Sequence, residues 1–328
     1  MANYKSELRQ DLVSGDWILV APGRRKRPHR FAVDKSKKNC PFENPKKSGQ
    51  SKPFLVYKNK NGSDWEIQIF ENKYPALTHG RVCAVLRKTG PFSVTEGLGH
   101  QDLVVTRDHD KNFPRLSPSE ALRVFEAFQE RYRMLAEDRC MAYVSVFHNW
   151  GLTAGASVYH PHYQIIALPI IPPDVAHSLS GSAKYFSKYK KCVHCEMLKW
   201  EKREKKRLIY ENKGAVALAP FVSRSPYEVR IFPKSHRPFF EDTPKGEIGF
   251  VAEALRRSLS SLERKLKSPD YNFFIHTSPV SNKRRYKHYH WHIEILPKVS
   301  IPAGFELATE VDVNVVPPDE AARLLRVK

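Results

Sequence analysis

Two stretches of the chain alternate histidine with other residues and then run into apolar sequence. The first reads His160-Pro161-His162-Tyr163-Gln164, followed by Ile165-Ile166-Ala167-Leu168-Pro169. The second reads His288-Tyr289-His290-Trp291-His292, followed by Ile293-Glu294-Ile295-Leu296-Pro297. Side chains of a strand alternate faces, so two strands are predicted. One carries His160, His162 and Gln164 on a single face; the other carries His288, His290, His292 and Glu294. A row of imidazoles is costly to bury unless it holds a metal, donates hydrogen bonds or does chemistry. Upstream of each ladder a helical stripe recurs: Leu122, Phe125, Phe128, Tyr132 and Leu135 within 121–136, and Leu255, Leu259, Leu262 and Leu266 within 252–266. Ser117-Pro118-Ser119-Glu120 supplies an N-cap, a proline at the first helical position and a capping-box glutamate. Thr243-Pro244 is expected to start the second helix in the same way. Strands are predicted over 65–70 and 207–210, and a last helix over 318–326. Pro172-Pro173 with the polar stretch 178–191 predicts a linker.

The order of these signals is the same in both halves. Cys40-Pro41-Phe42-Glu43, a strand, Glu71-Asn72-Lys73, His109, the helix and the first ladder are matched by Cys192-Val193-His194-Cys195, a strand, Glu211-Asn212-Lys213, His236, the helix and the second ladder. The chain is therefore expected to be α+β, two tandem units over 1–172 and 173–328, each an antiparallel sheet with one long helix.

A chain of 328 residues, 41% of them hydrophobic, is long enough for two units with real cores. No stretch approaches the ~18 apolar residues of a membrane span, and Met1-Ala2-Asn3-Tyr4-Lys5 leads into no signal-like apolar run. Five cysteines are few and odd in number, which argues against a disulfide scaffold and for a reducing cytoplasm. The net charge of +20 points to an anionic partner, for which nucleic acid, nucleotide-sugars and sugar phosphates all qualify; much of the surplus reads as solvated surface.

Cys192-x-x-Cys195 has the spacing of a zinc knuckle, although a redox pair shows the same spacing. The repeat adds His236 and His290, completing a closed Cys2His2 set. In the first half the matching residues are Cys40, Glu43, His109 and His160. Zinc accepts a carboxylate oxygen, so this is either a second site or one that has lost its metal and is held by hydrogen bonds. His162 is the candidate nucleophile. It shares a strand face with His160, and a neutral imidazole whose other nitrogen is held by a hydrogen bond can attack phosphorus. Gln164 follows on that face, placed to hydrogen-bond an anionic oxygen. The small-residue loop Gly151-Leu152-Thr153-Ala154-Gly155-Ala156-Ser157 lets backbone N–H groups approach a phosphate, and Ser157 adds a hydroxyl. His79, His100, His148 and His177 read as ordinary surface or loop histidines.

With these residues in place, the chain resembles the galactose-1-phosphate uridylyltransferases, a branch of the histidine-triad superfamily, over nearly its whole length. The stretch from Asn149 to Gln164, with Ser157, His160 and His162 between, resembles the family's active-site segment. Trp17 to Pro22, with Arg24 and Arg27-Pro28, resembles its N-terminal strand and nucleotide-binding arginines. Asn72-Lys73-Tyr74-Pro75-Ala76-Leu77 is similar to its uridine-pocket segment. The resemblance implies two histidine-triad-like units, the first catalytic, and ping-pong nucleotidyl transfer through a uridylyl-histidine at His162. Substrate-binding roles fall on Arg24, Arg27, Asn72, Lys73, Tyr74, Asn149 and Gly155. Phe305 and Glu306 lie in a stretch that resembles a family segment contributed by the neighbouring subunit to the sugar pocket, so the resemblance implies a homodimer. It also makes His160 a zinc ligand and matches His276, His290 and His292 to the family's second metal cluster, for which the CxxC pair here suggests zinc instead of that branch's iron. Glu43 departs from the expected cysteine, Tyr159 stands where many members have proline, and Ala308 to Asn314 departs from the galactose-binding pattern and resembles relatives that include ADP-glucose phosphorylases.

The expected function is hexose-1-phosphate nucleotidylyl transfer, by default between UDP-glucose and galactose 1-phosphate. An ADP-glucose phosphorylase or other adenylyl transferase on the same site is the alternative. From another class comes a zinc-stabilised nucleic-acid-binding protein without catalysis, which leaves the His-Pro-His-x-Gln ladder unexplained.

Overall fold

The computed structural model describes residues 5–22, 34–80 and 82–327. In chain order the elements are β1 (Glu7–Gln10), β2 (Trp17–Val20), β3 (Leu55–Lys58), β4 (Trp65–Glu71), β5 (Arg87–Thr89), β6 (Phe92–Glu96), β7 (His100–Thr106), α1 (Pro118–Ala136), β8 (Tyr143–Trp150) and β9 (His162–Leu168). After them come α2 (Pro173–Tyr189), α3 (Val193–Glu204), β10 (Leu208–Glu211), β11 (Ala215–Leu218), β12 (Val229–Pro233), α4 (Lys245–Lys265), β13 (Tyr271–His276), β14 (His292–Pro297), α5 (Gly304–Thr309) and α6 (Pro318–Leu325). Strands β2-β1-β6-β5 form a small antiparallel sheet. The other ten form one large sheet in the order β10-β11-β12-β14-β13-β8-β9-β7-β4-β3.

That order is a palindrome of the repeat. From the centre outward, β8-β9-β7-β4-β3 and β13-β14-β12-β11-β10 place corresponding strands at corresponding positions, and all their pairings are antiparallel. The halves join where β13 pairs with β8, Tyr271 opposite Trp150 and Ile275 opposite Val146. Helices α1 and α4 pack side by side over one face. Beneath them a single apolar core runs through both halves, from Ile67, Val104 and Tyr163 to Ile231, Leu255 and Ile293. Phe113, Phe125, Phe128 and Phe273 meet edge-on or tilted within it; burying each such ring contributes roughly 1.5–3 kcal/mol. The fold is thus the expected α+β pair of antiparallel units, with the two sheets fused into one.

Helix α1 starts as its sequence predicts, with Ser117 accepting from the Glu120 amide and Glu120 reaching back to Ser117. Three local expectations fail. Thr243 does not cap α4; Pro244 is the N-cap residue, and Thr243 is buried with its hydroxyl accepting from the Trp291 indole. The predicted linker is helix α2: its polar composition hides the stripe Val175, Leu179 and Ser182, and the first two pack on Tyr143 and Tyr289. His288 leaves the second ladder: it lies in a turn ahead of β14 and packs against Phe186 instead.

Candidate functional site

Strand β9 lies between β7 and β8, and its alternation decides the site. Tyr163, Ile165 and Ala167 enter the core beneath the helices, which turns His162 and Gln164 to the opposite face. There His162, 8% exposed, borders a cavity of about 230 Å³ with Gln164, Ser157, Asn72, Lys73 and Tyr74. The His162 Nδ1–H donates to the His160 carbonyl at 2.9 Å. That bond selects the neutral tautomer with its lone pair on Nε2, the form suited to attack. Phe42 packs on the imidazole with ring centroids 5.1 Å apart.

Two residues that support this face were missed. His148, read as a surface or loop residue, is fully buried in β8, and its Nδ1–H donates to the His162 carbonyl at 2.9 Å. Gln101 of β7 accepts from the Ala76 amide at 2.6 Å and donates through Nε2 to Gln164 Oε1 at 3.0 Å. The second bond occupies the Gln164 carbonyl oxygen and so assigns its amide NH2 as the donor for a ligand. Neither residue stands in a recognisable motif; their roles depend on neighbouring strands, 14 residues on for His148 and 63 for Gln101.

The small-residue loop after β8 is clasped by the second half. Asp270 accepts from the Thr153 amide at 2.8 Å and its hydroxyl at 2.7 Å, and Asn272 donates to Asn149 Oδ1 and the Ala154 carbonyl. Gly151 has φ +85°, and a Cβ there would fall 1.8 Å from Asp270 Oδ1, so no side chain fits. Ser157 reaches the cavity wall. Asn149 and Gly155 do not border it; Asn149 serves the loop's clasp. Phe305 and Glu306 lie on exposed α5, where Glu306 accepts from the Ala303 amide, and are not brought to this chain's cavity. Arg24 and Arg27 lie outside the described residues.

The metal-ligand candidates gather in two clusters. Cys192, Cys195, His236 and His290 have their donor atoms within 4.8 Å of one another. Cys195 Sγ is 3.4 Å from His236 Nδ1 and 3.5 Å from His290 Nδ1. Two donors on a tetrahedral zinc, with bonds of about 2.3 Å to sulfur and 2.0–2.1 Å to nitrogen, stand about 3.5 Å apart. Each imidazole donates its Nε2–H to a carbonyl, His236 to Lys287 and His290 to Pro233. Their Nδ1 lone pairs therefore face the sulfurs, the usual orientation around an ion. Hydrogen bonding from Cys195 holds the Cys192 thiol below its ordinary range.

The first half repeats the pattern. Cys40, His109 and His160 cluster, with Cys40 Sγ 3.5 Å from His160 Nδ1. His109 donates Nε2–H to the Lys35 carbonyl and His160 to Thr106. The buried Nδ1 of His109 has no hydrogen-bond partner among the described residues, and Glu43 Oε1 stands 3.3 Å away while Arg107 holds the other Glu43 oxygen. A nitrogen facing a thiol, an imidazole and a carboxylate fits a cation site, with Glu43 standing beside the three clustered residues.

The second ladder has gone another way. His292 donates Nδ1–H to the His290 carbonyl, as His162 does to His160. Its ring, however, is stacked on Phe232 and His276, and Glu294 is paired with Arg224 and Arg230 where the first half has Gln164. His276 and His292 are thus held in an ion-pair network rather than joined to His290 in one metal cluster. Burial lowers His148 to about 3 and His292 to about 4, from the ordinary 6.5. Because the unfolded chain takes up these protons first, both contributions to stability are complete above about pH 6.5 and are lost as pH falls towards those values. Urea titrations should show stability dropping by about 1 kcal/mol per pH unit for each histidine in that window, and His148→Gln should flatten the slope.

The cysteine count misled in one respect. Cys83 and Cys140 form a disulfide, leaving Cys40, Cys192 and Cys195 as free thiols; a pair 57 residues apart leaves no local signature. Among the described residues no helix is long and apolar enough to cross a membrane.

Comparison with known proteins adds independent findings. A family model described as galactose-1-phosphate uridyl transferase, N-terminal domain, matches residues 1–172, and one described as a domain of unknown function matches 114–326. The chain is 31% identical to an ADP-glucose phosphorylase of Arabidopsis thaliana, covering 99% of this chain and 93% of that one. It is 30% identical to a galactose-1-phosphate uridylyltransferase of Thermotoga maritima, covering 98% of both. Among solved structures, a uridylyltransferase superposes with a TM-score of 0.80 at 29% identity, covering 97% of each chain. The Arabidopsis thaliana ADP-glucose phosphorylase with bound ADP-glucose superposes with a TM-score of 0.77 at 29% identity, covering 98% of this chain and 99% of that one.

Proposed function

The chain belongs to the galactose-1-phosphate uridylyltransferase family, whose members are transferases, and from that premise we propose that it moves a nucleoside monophosphate between sugar phosphates through His162. The observation that carries this is the held imidazole at the cavity wall, with Nδ1–H on the His160 carbonyl and Gln164 oriented beside it. In the first half-reaction His162 Nε2 attacks the α-phosphorus of a nucleoside-diphosphate hexose. The N–P bond forms, the bond from α-phosphorus to the bridging oxygen breaks, and hexose 1-phosphate leaves with that oxygen. The imidazolium that results is stabilised by the His160 carbonyl at Nδ1. In the second half-reaction a phosphate oxygen of the incoming sugar phosphate attacks phosphorus, and the pair of electrons returns to Nε2. The Gln164 amide and the Ser157 hydroxyl are placed to bind the phosphoryl oxygens as charge grows on them. Asn72, Lys73 and Tyr74 would line the nucleotide's seat, with Arg24 and Arg27 as further anion contacts.

UDP-glucose with galactose 1-phosphate is the default substrate pair. The second reading, ADP-glucose phosphorolysis on the same histidine, is favoured by the similarity to the Arabidopsis thaliana enzyme over the whole chain and to its structure with ADP-glucose. Incubating the purified protein with UDP-glucose and with ADP-glucose, each labelled in the α-phosphate, separates them: acid-labile label on His162 is expected from one nucleotide, and label from neither refutes both. A binder without catalysis leaves the held nucleophile unexplained.

Zinc is the ion proposed for Cys192, Cys195, His236 and His290, and secondly for Cys40, Glu43, His109 and His160. It would lock the ends of the ladders; no step of transfer passes through it. The repeat units are placed at 1–172 and 173–328, supported by the mirrored strand order, and the enzyme is placed in the cytoplasm with its sugar-phosphate substrates. We also propose a homodimer. Its support is the exposed apolar run after β14, where Ile301 is 90%, Leu307 74% and Val315 75% exposed. Light scattering should give twice the mass of the chain, and Leu307→Asp should halve it.

A further inference from the structure

Away from both thiol clusters, His79, His100 and Asp138 converge at the far end of β7 from the His109 cluster. Their donor atoms lie within 4.8 Å of one another. His100 Nε2 is 3.0 Å from Asp138 Oδ2, and the rings of His79 and His100 are 4.4 Å apart. Donors sharing one tetrahedral ion through bonds of 2.0–2.1 Å stand about 3.3 Å apart, so the hydrogen-bonded pair needs to part by only about 0.3 Å to share an ion. We propose that these three residues form a third metal site, open to solvent, which takes a divalent transition ion of the zinc class.

The three ligands come from three separately anchored segments. His79 follows Thr78, whose amide donates to the Gly97 carbonyl while the Gly99 amide donates to the Thr78 carbonyl. His100 opens β7, opposite Ala167. Asp138 sits just beyond α1, and its Oδ1 accepts from the Cys140 amide at 2.9 Å, which turns Oδ2 towards His100. The disulfide from Cys83 to Cys140 then ties the chain after His79 to the chain after Asp138. A site whose ligands are already held binds without the cost of ordering them. Two imidazoles and one carboxylate suit zinc, cobalt or iron(II), and leave positions for water because His79 is exposed. The site has a clear use. The segment from Asn72 to His79 carries Asn72, Lys73 and Tyr74 of the cavity, and an ion at His79 would clasp its far end to β7 and α1.

Calorimetric titration of the purified protein, with its thiol clusters already loaded, tests this with Zn²⁺ and with Co²⁺ as the probe. The wild type should bind one further equivalent, and the added Co²⁺ should show visible d–d bands without thiolate charge transfer. The equivalent should vanish in His79→Ala and in Asp138→Asn and persist in His177→Ala, an exposed histidine elsewhere. His79 is on the surface, so its loss does not threaten the fold. The same number of equivalents in wild type and His79→Ala, or thiolate charge transfer from the added ion, overturns the proposal: His100 and Asp138 are then a plain hydrogen-bonded pair.

Discussion

Replacing His162 by alanine is expected to lower nucleotidyl transfer by about 10⁴-fold or more and to abolish the acid-labile label, while the melting temperature moves by only a few degrees. The loss is large because the imidazole serves as both nucleophile and leaving group, and no neighbour can substitute. Gln164 and Ser157 are not nucleophiles of comparable strength, and the nearest second imidazole, His160, points its Nδ1 at Cys40. The structural cost is small because the side chain stands at a cavity wall, and its hydrogen bond to the His160 carbonyl is worth about 1 kcal/mol. Single-turnover assays with the labelled nucleotide-sugar make the comparison. Turnover within tenfold of wild type would remove His162 from the mechanism.

The second large effect is on stability. Cys192→Ala should lower the melting temperature by roughly 10 °C, and a strong chelator should do the same to the wild type but add little to the variant. Isolated zinc-binding peptides owe about 10–16 kcal/mol to the ion. Here the continuous core beneath α1 and α4 folds the chain as well, so a loss of several kcal/mol is expected instead, a fraction of the whole. Removing one thiol strands the other thiol and two imidazoles whose Nδ1 atoms face Cys195. The cluster lies in the second unit, apart from His162, so activity per folded molecule should fall far less than stability. Differential scanning calorimetry with elemental analysis decides it: an unchanged melting temperature, or no bound metal in the wild type, defeats the zinc assignment there.

Much of the site could be read along the chain. The alternation of His160, His162 and Gln164 placed all three on one strand face, and His162 and Gln164 do border one cavity. The duplicated order of cysteine, lone histidine, helix and ladder selected two ligand sets, and both are assembled, Glu43 beside the first. The capping box at Ser117 set the start of α1 correctly. The failures share a cause. Thr243, His288 and the stretch that became α2 were judged by local composition, whereas tertiary partners decided them: the Trp291 indole, the Phe186 ring, and Tyr143 with Tyr289. His148 and Gln101 carry no motif of their own, because each acts through hydrogen bonds to neighbouring strands that only the sheet brings together.

Periodicity and spacing are properties of neighbours in the chain, and they sufficed for the strand faces, the long helices, the repeat and the residue types that can attack phosphorus or hold zinc. Which of two nearly identical ladders keeps an open cavity was settled elsewhere. Around His162 the long-range packing leaves room and a glutamine; around His292 it supplies Phe232, His276 and a pair of arginines that fill the space and bind Glu294. The same holds for Cys40, which meets His160 across 120 residues, beside Phe42 packed on Phe70, Leu103 and Val105. Contacts of that range follow from strand register and core packing, and no local pattern encodes them.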